Sequence, residues 1–141
     1  MDNTLEAGSV VKDFEMRDRD GNLVKLSDFK GKLVYMDIWA TWCGPCVEEI
    51  PNMEKLYQHY KDDPQILLVS VSVDSKKNLW EKKLDEDKPQ WPQYIVDGAL
   101  KDKLYNEYII TGIPRFMMFD SEGKIIIINA MIPSNGKLIP F

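Results

Sequence analysis

The chain predicts an α/β protein in which a mixed central β-sheet carries helices on both faces, with an N-terminal β-hairpin as an extension. Three observations predict it. Two nearly unbroken apolar runs, Leu33 to Trp39 and Ile66 to Val73, suit central strands covered on both faces. Between and after them the apolar residues recur at intervals of three and four, which is helical periodicity. Short strand-like runs separated by turn residues flank this core at both ends, and these read as antiparallel hairpins.

In chain order, Phe14–Arg17 and Leu23–Leu26 are separated by Asp18-Arg19-Asp20-Gly21-Asn22 and form the N-terminal hairpin, with a turn glycine. Ser27-Asp28-Phe29-Lys30-Gly31 makes a turn into the first buried strand, Leu33 to Trp39, which only Asp37 interrupts. From Cys46 the residues Val47, Ile50, Met53, Tyr57 and Tyr60 trace one helix. Pro51 removes a backbone donor inside it, so a kink is expected. Ile66 to Val73 is the second buried strand, and a helix over Lys76–Asp87 follows it. Pro89, Pro92, Trp91 and Tyr94 mark a connecting loop before a helix over Ala99–Glu107. Arg115–Phe119 and Lys124–Asn129 flank Ser121-Glu122-Gly123 and close an antiparallel hairpin. No repeat, low-complexity tract or internal linker divides the chain. Its 141 residues fit one domain.

Composition narrows the function classes. The chain is 44% hydrophobic and 29% charged, with a formal net charge of −5, which offers no basic surface for nucleic acid. No apolar stretch approaches the roughly 20 residues of a membrane span, and Met1 to Gly8 lacks the basic and apolar regions of a signal peptide.

The most specific feature is Trp42-Cys43-Gly44-Pro45-Cys46, which holds both cysteines of the chain at the end of an apolar run and the start of a helix. A C-x-x-C pair also serves zinc ribbons, but zinc usually takes four protein ligands. Here there is one histidine and no second cysteine pair. A sulfur pair at this spacing can close a small disulfide ring that a partner thiolate reopens; a merely packed or zinc-binding pair is the alternative. His59 lies off the apolar stripe of its helix and reads as a surface residue. Trp80, Trp91 and Tyr94 read as core or loop anchors and not as a cofactor box.

The run Trp39-Ala40-Thr41-Trp42-Cys43-Gly44-Pro45-Cys46, with Ile113-Pro114 before a downstream strand, resembles the thioredoxin-fold oxidoreductases. The N-terminal hairpin and Leu26-Ser27-Asp28-Phe29-Lys30-Gly31-Lys32 narrow the resemblance to the TlpA/ResA-like branch, related to the AhpC/TSA proteins, over roughly Gly8 to Met131. It implies a thioredoxin-like fold and a thiol-disulfide oxidoreductase that needs no bound cofactor beyond its redox-active Cys43–Cys46 pair. It further implies disulfide-bearing protein substrates, an upstream dithiol electron donor, a monomer, and a place in the periplasm or cell envelope of a bacterium, with the cytoplasm as the alternative.

On this resemblance Cys43 lies at the strand-to-helix turn, where free N–H groups and the positive end of the helix stabilise a thiolate, and is the nucleophile. Cys46, one turn in, resolves the mixed disulfide. Pro114 is expected in the cis form against the dithiol; a trans proline at a strand entrance is the plain alternative. With Ile113, Trp42, Gly44 and Pro45 it builds the shelf that receives a partner polypeptide. Asp37 matches the buried aspartate of thioredoxins and is expected to accept and return the Cys46 proton. Glu49 matches an active-site glutamate of ResA-like proteins, with a solvated helix carboxylate as the equal alternative; Glu48 reads as plain surface. The tail Pro133–Phe141 is shorter than the terminal helix usual in such folds, so either the chain is trimmed or the tail packs irregularly.

Two rivals are carried. A peroxidase of the peroxiredoxin or glutathione-peroxidase-like kind typically places threonine or another activating group three residues before its cysteine, where this chain has Ala40, with Thr41 one position too close. A non-catalytic thioredoxin-like binding module would leave the dithiol incidental.

Overall fold

The computed structural model describes residues 13–127. Their strands are β1 (Glu15–Arg17), β2 (Leu23–Lys25), β3 (Leu33–Trp39), β4 (Ile66–Ser72), β5 (Gln93–Ile95), β6 (Arg115–Phe119) and β7 (Ile125–Ile127). The helices are α1 (Gly44–Glu48), α2 (Ile50–Tyr60), α3 (Lys77–Asp87) and α4 (Gly98–Tyr108). The strands form one mixed sheet in the order β2-β1-β5-β4-β3-β6-β7. β3 is central, paired in parallel with β4 and antiparallel with β6. Residues 128–141, which include the C-terminal end of the expected last strand and the short tail, lie outside the described part.

Alternation along β3 sorts its side chains between two cores, because successive residues of a strand point to opposite faces. Val34, Met36 and Ile38 pack with Trp80 and Leu84 of α3 and Leu104 and Tyr108 of α4. Tyr35 packs on the other face, with Met53 and Leu56 of α2, Leu68 of β4, Trp91, and Phe116 and Met118 of β6. Asp37 shares the parity of Tyr35 and is delivered to that second face.

The N-terminal hairpin forms as expected. Asp18 accepts the N–H of Gly21 on its carbonyl (3.0 Å) and the N–H of Asn22 on its side chain (2.9 Å), and Gly21 takes φ +89°, a conformation open to glycine. The following turn is a 3-10 helix over Leu26–Phe29, held by Asp13, which accepts both the N–H (3.0 Å) and the hydroxyl (2.8 Å) of Ser27.

Two expectations need correction. The segment read as a connecting loop between Pro89 and Tyr94 contains β5, which pairs in parallel with β4 and antiparallel with β1 and so joins the hairpin to the sheet. A strand of three residues beside two prolines is too short to show alternation. The helix read as one kinked element from Cys46 is two helices. α1 starts at Gly44, and Glu49 ends it with φ −83° and ψ −11°, before Ile50 and Pro51 open α2. Proline lacks an N–H and is at home in a first helical turn, so the chain restarts its helix there and does not bend through it.

Candidate active site

β3 ends at Trp39, and the next residues turn over the ends of the parallel strands. Ala40 accepts the N–H of Cys43 (3.2 Å), and Cys43, extended at φ −93° and ψ 106°, is the N-cap of α1. Cys43 and Cys46 are joined as a disulfide. Both sulfur residues are largely enclosed, Cys43 at 6% exposure and Cys46 at 2%. The N–H of Cys46 points at the Cys43 sulfur, 3.2 Å away, and the Ile113 carbonyl oxygen lies 3.8 Å from the same atom. An N–H aimed at a sulfur favours its thiolate when the disulfide is opened.

The Ile113–Pro114 peptide is cis. It leads directly into β6, and both residues are half-buried beside the dithiol. Gly44 and Pro45 are exposed, and Trp42 stands 67% exposed, the most open of the large apolar side chains among the described residues. An indole left this open beside a reactive pair is a ready contact for an incoming chain.

Asp37 and Glu49 both lie inside, at 5% and 9% exposure, whereas Glu48 is on the surface. Burial pushes the Asp37 carboxyl from its ordinary 3.8 up to about 7; the Ser70 hydroxyl opposes the rise, and the negative charge of Glu49 adds to it. Glu49 donates its N–H to the Cys46 carbonyl (3.1 Å), so the residue that touches Asp37 electrostatically also ends the turn carrying Cys46. The reading of Glu49 as a solvated carboxylate does not survive its burial. His59 is exposed, edge-on to the Tyr60 ring. Among the described residues no group of three or more His, Cys, Asp or Glu is placed to hold a metal ion.

Residue-level reading missed three participants. Ser70 faces Asp37 across the β3–β4 register and donates its hydroxyl to Asp37 Oδ2 (3.2 Å), while the Trp91 indole N–H donates to Ser70 Oγ (2.8 Å). Asp74, just beyond β4, accepts the Thr41 N–H on both carboxylate oxygens (3.2 Å each), the Thr41 hydroxyl (2.7 Å) and the Ser72 hydroxyl. That bond commits the Thr41 hydroxyl to Asp74 and pins the segment leading to Cys43. A serine or aspartate next to an apolar strand carries no mark of its partner in the sequence, so only pairing across strands could have found them.

Comparison with known proteins agrees with this geometry. The Redoxin family model matches residues 6–134. The thiol-disulfide oxidoreductase ResA of Geobacillus thermodenitrificans is 34% identical over 122 residues, 86% of this chain and 67% of that protein. A Bacteroides vulgatus crystal structure described as a thiol-disulfide oxidoreductase superposes with a TM-score of 0.87 at 38% identity, covering 95% of this chain and 92% of that one. The thioredoxin domain of a Bacteroides vulgatus thiol-disulfide oxidoreductase gives 0.80 at 35% identity, over 88% of each chain. A dithiol capping a helix at the end of the central strand, a buried carboxyl behind it and these likenesses have one reading: the chain belongs to the Redoxin family, as a thiol-disulfide oxidoreductase of thioredoxin fold on the TlpA/ResA-like branch.

Proposed function

We propose that the protein reduces disulfides of other proteins, with Cys43 as nucleophile, Cys46 as resolving thiol, Asp37 as proton acceptor, and Trp42, Gly44, Pro45, Ile113 and Pro114 as the docking shelf. The observation that carries the assignment is the Cys46 N–H directed at Cys43 Sγ beside the Ile113 carbonyl. In the first step the Cys43 thiolate attacks one sulfur of a partner disulfide; the partner's other sulfur leaves as a thiolate and takes a proton. Cys46 then gives its proton to Asp37, and its thiolate attacks Cys43 Sγ. The partner's second thiolate departs and is protonated. Two electrons have passed to the partner, and the Cys43–Cys46 disulfide remains for an upstream dithiol donor to reopen. Gly-Pro between the cysteines favours this direction over oxidation. Glu49, buried and coupled to Asp37, supports the same proton step by holding charge near it. A cell-envelope location belongs to the same proposal and rests on the likeness to ResA proteins; fractionation of the host cell tests it.

The test is insulin-disulfide reduction. Cys43→Ser abolishes it, while Cys46→Ala retains the attack and accumulates mixed disulfides with partner proteins. Iodoacetamide labels Cys43 before Cys46 in the reduced protein at neutral pH. Faster labelling of Cys46, or equal trapping by both variants, reverses the roles.

A further inference from the structure

The buried hydroxyl beside Asp37 has a fixed direction, which follows from the chemistry of its two partners. An indole N–H can only donate. At 2.8 Å from Ser70 Oγ, the Trp91 N–H occupies one acceptor site of that oxygen, and toward the ionised carboxyl, which can only accept, the serine proton is given to Asp37 Oδ2, 3.2 Å away. Ser70 is 2% exposed, so both bonds lie inside the protein. The arrangement is held from three sides. Asp37 and Ser70 are register partners in β3 and β4, Ser70 also pairs with Gln93 of β5, and the Trp91 ring lies 5.9 Å from that of Tyr57 on α2.

We propose that Ser70, oriented by Trp91, is a positioning residue for the proton step: it occupies Asp37 Oδ2 as a permanent donor and leaves Oδ1 as the atom that takes up and returns the proton. A proton on Oδ2 would oblige the serine to turn its own proton away and accept instead, giving up the bond it donates to the carboxyl. The inference rests on the reading of Asp37 as the proton acceptor for Cys46. The hydroxyl bond also favours the ionised carboxyl, against burial. The other titratable or charged groups near Asp37 are Glu49 at the α1–α2 junction, Tyr35 on β3, and Asp87 at the end of α3. Asp87 lines a cavity of about 10 Å³ together with Asp37 and is paired with Lys83 (3.2 Å). None of these occupies the place of Ser70.

The experiment follows the Asp37 carboxyl directly, by ¹³C NMR titration of the oxidised protein, with the Asp37→Asn spectrum identifying its resonance. Ser70→Ala raises the midpoint by about one pH unit, since the bond lost is one to a charged group. Trp91→Phe, which leaves the serine in place and removes its guide, raises it by less. Ser70→Thr, keeping the hydroxyl, leaves it where it was. The acid limb of the pH profile for insulin reduction moves with the midpoint in each variant, which a loss of packing alone does not produce. An unmoved or lowered midpoint in Ser70→Ala, or a wild-type midpoint in Trp91→Phe, overturns the relay. If Asp37→Asn instead turns over at the wild-type rate, the role of Asp37 fails while the titration still decides the relay.

Discussion

A carboxyl placed in the middle of an apolar strand binds its proton more tightly in the folded chain than in the unfolded one, and stability then depends on pH in a definite direction. For Asp37 the folded pKa is about 7 against an ordinary 3.8. Between those values the native state keeps a proton the unfolded chain has lost. The stability it contributes is complete below the lower value and is lost as pH rises through the upper one. At about 1.4 kcal/mol per unit the loss is on the order of 4 kcal/mol, accumulated between roughly pH 4 and 7 and level above. Asp37→Asn keeps an acceptor for the Ser70 hydroxyl and carries no such cost. Its advantage in urea unfolding of the oxidised protein therefore grows from pH 5 to 7 and then stops growing, while insulin reduction slows because an amide cannot take the Cys46 proton. Parallel stability curves for the two proteins across that range would rule out a raised Asp37 pKa.

At the scale of elements, the site depends on how one strand end is tied to its neighbour. β3 and β4 run side by side, and the carbonyl of Trp39 accepts the N–H of Val73 (2.8 Å), so the chain leaves both strands at one level. Asp74 then reaches across to Thr41 and holds the turn that presents Cys43. Thr41→Val preserves shape and removes the hydroxyl given to the carboxylate, which lowers stability by about 2 kcal/mol in denaturant unfolding. Reduction of protein disulfides slows more than this loss of folded protein explains, and Thr41→Ser restores both. Unchanged turnover in the valine variant would show that the turn holds its shape without Asp74. The break between α1 and α2 belongs to the same scale. It makes the Cys43 cap a single-turn device, while Glu49, three residues after buried Cys46 and four before buried Met53, keeps to the inner face.

Across the whole molecule the hairpin is part of the core and not an appendage. Phe14 and Met16 are fully buried, the Phe14 ring meets Tyr108 of α4 edge-on at 5.6 Å, and Tyr108 in turn meets Phe119 of β6 at 5.9 Å. The hairpin turn leans on α3 through Arg19, 2.8 Å from Asp85 and 3.6 Å from Glu81; these are exposed pairs, screened by salt, and minor beside the buried rings. Phe14→Ala is therefore expected to lower stability by about 3 to 4 kcal/mol with the chain still unfolding in one transition by circular dichroism and tryptophan fluorescence. A separate early transition would mean that the hairpin melts on its own.

What the amino-acid sequence by itself determined was local: the two central strands from their unbroken apolar runs, the hairpins from their turn residues, the paired cysteines from a spacing of three, and Asp37 as an anomaly inside Leu33 to Trp39. Each of these signals lies within a few residues of chain, where periodicity and turn chemistry act. The tertiary structure decided what depends on strands meeting. β5 is a strand only because β4 and β1 stand on either side of it, and its three residues carry no pattern alone. Glu49 is buried because the face it shares with Cys46 and Met53 packs inward. Ser70, Trp91 and Asp74 acquire their places because the β3–β4 register sets position 37 against 70 and because the chain around β5 returns past them. Hydrogen bonds between residues 21 and 33 positions apart follow from that packing, since no local rule ties such distant residues together.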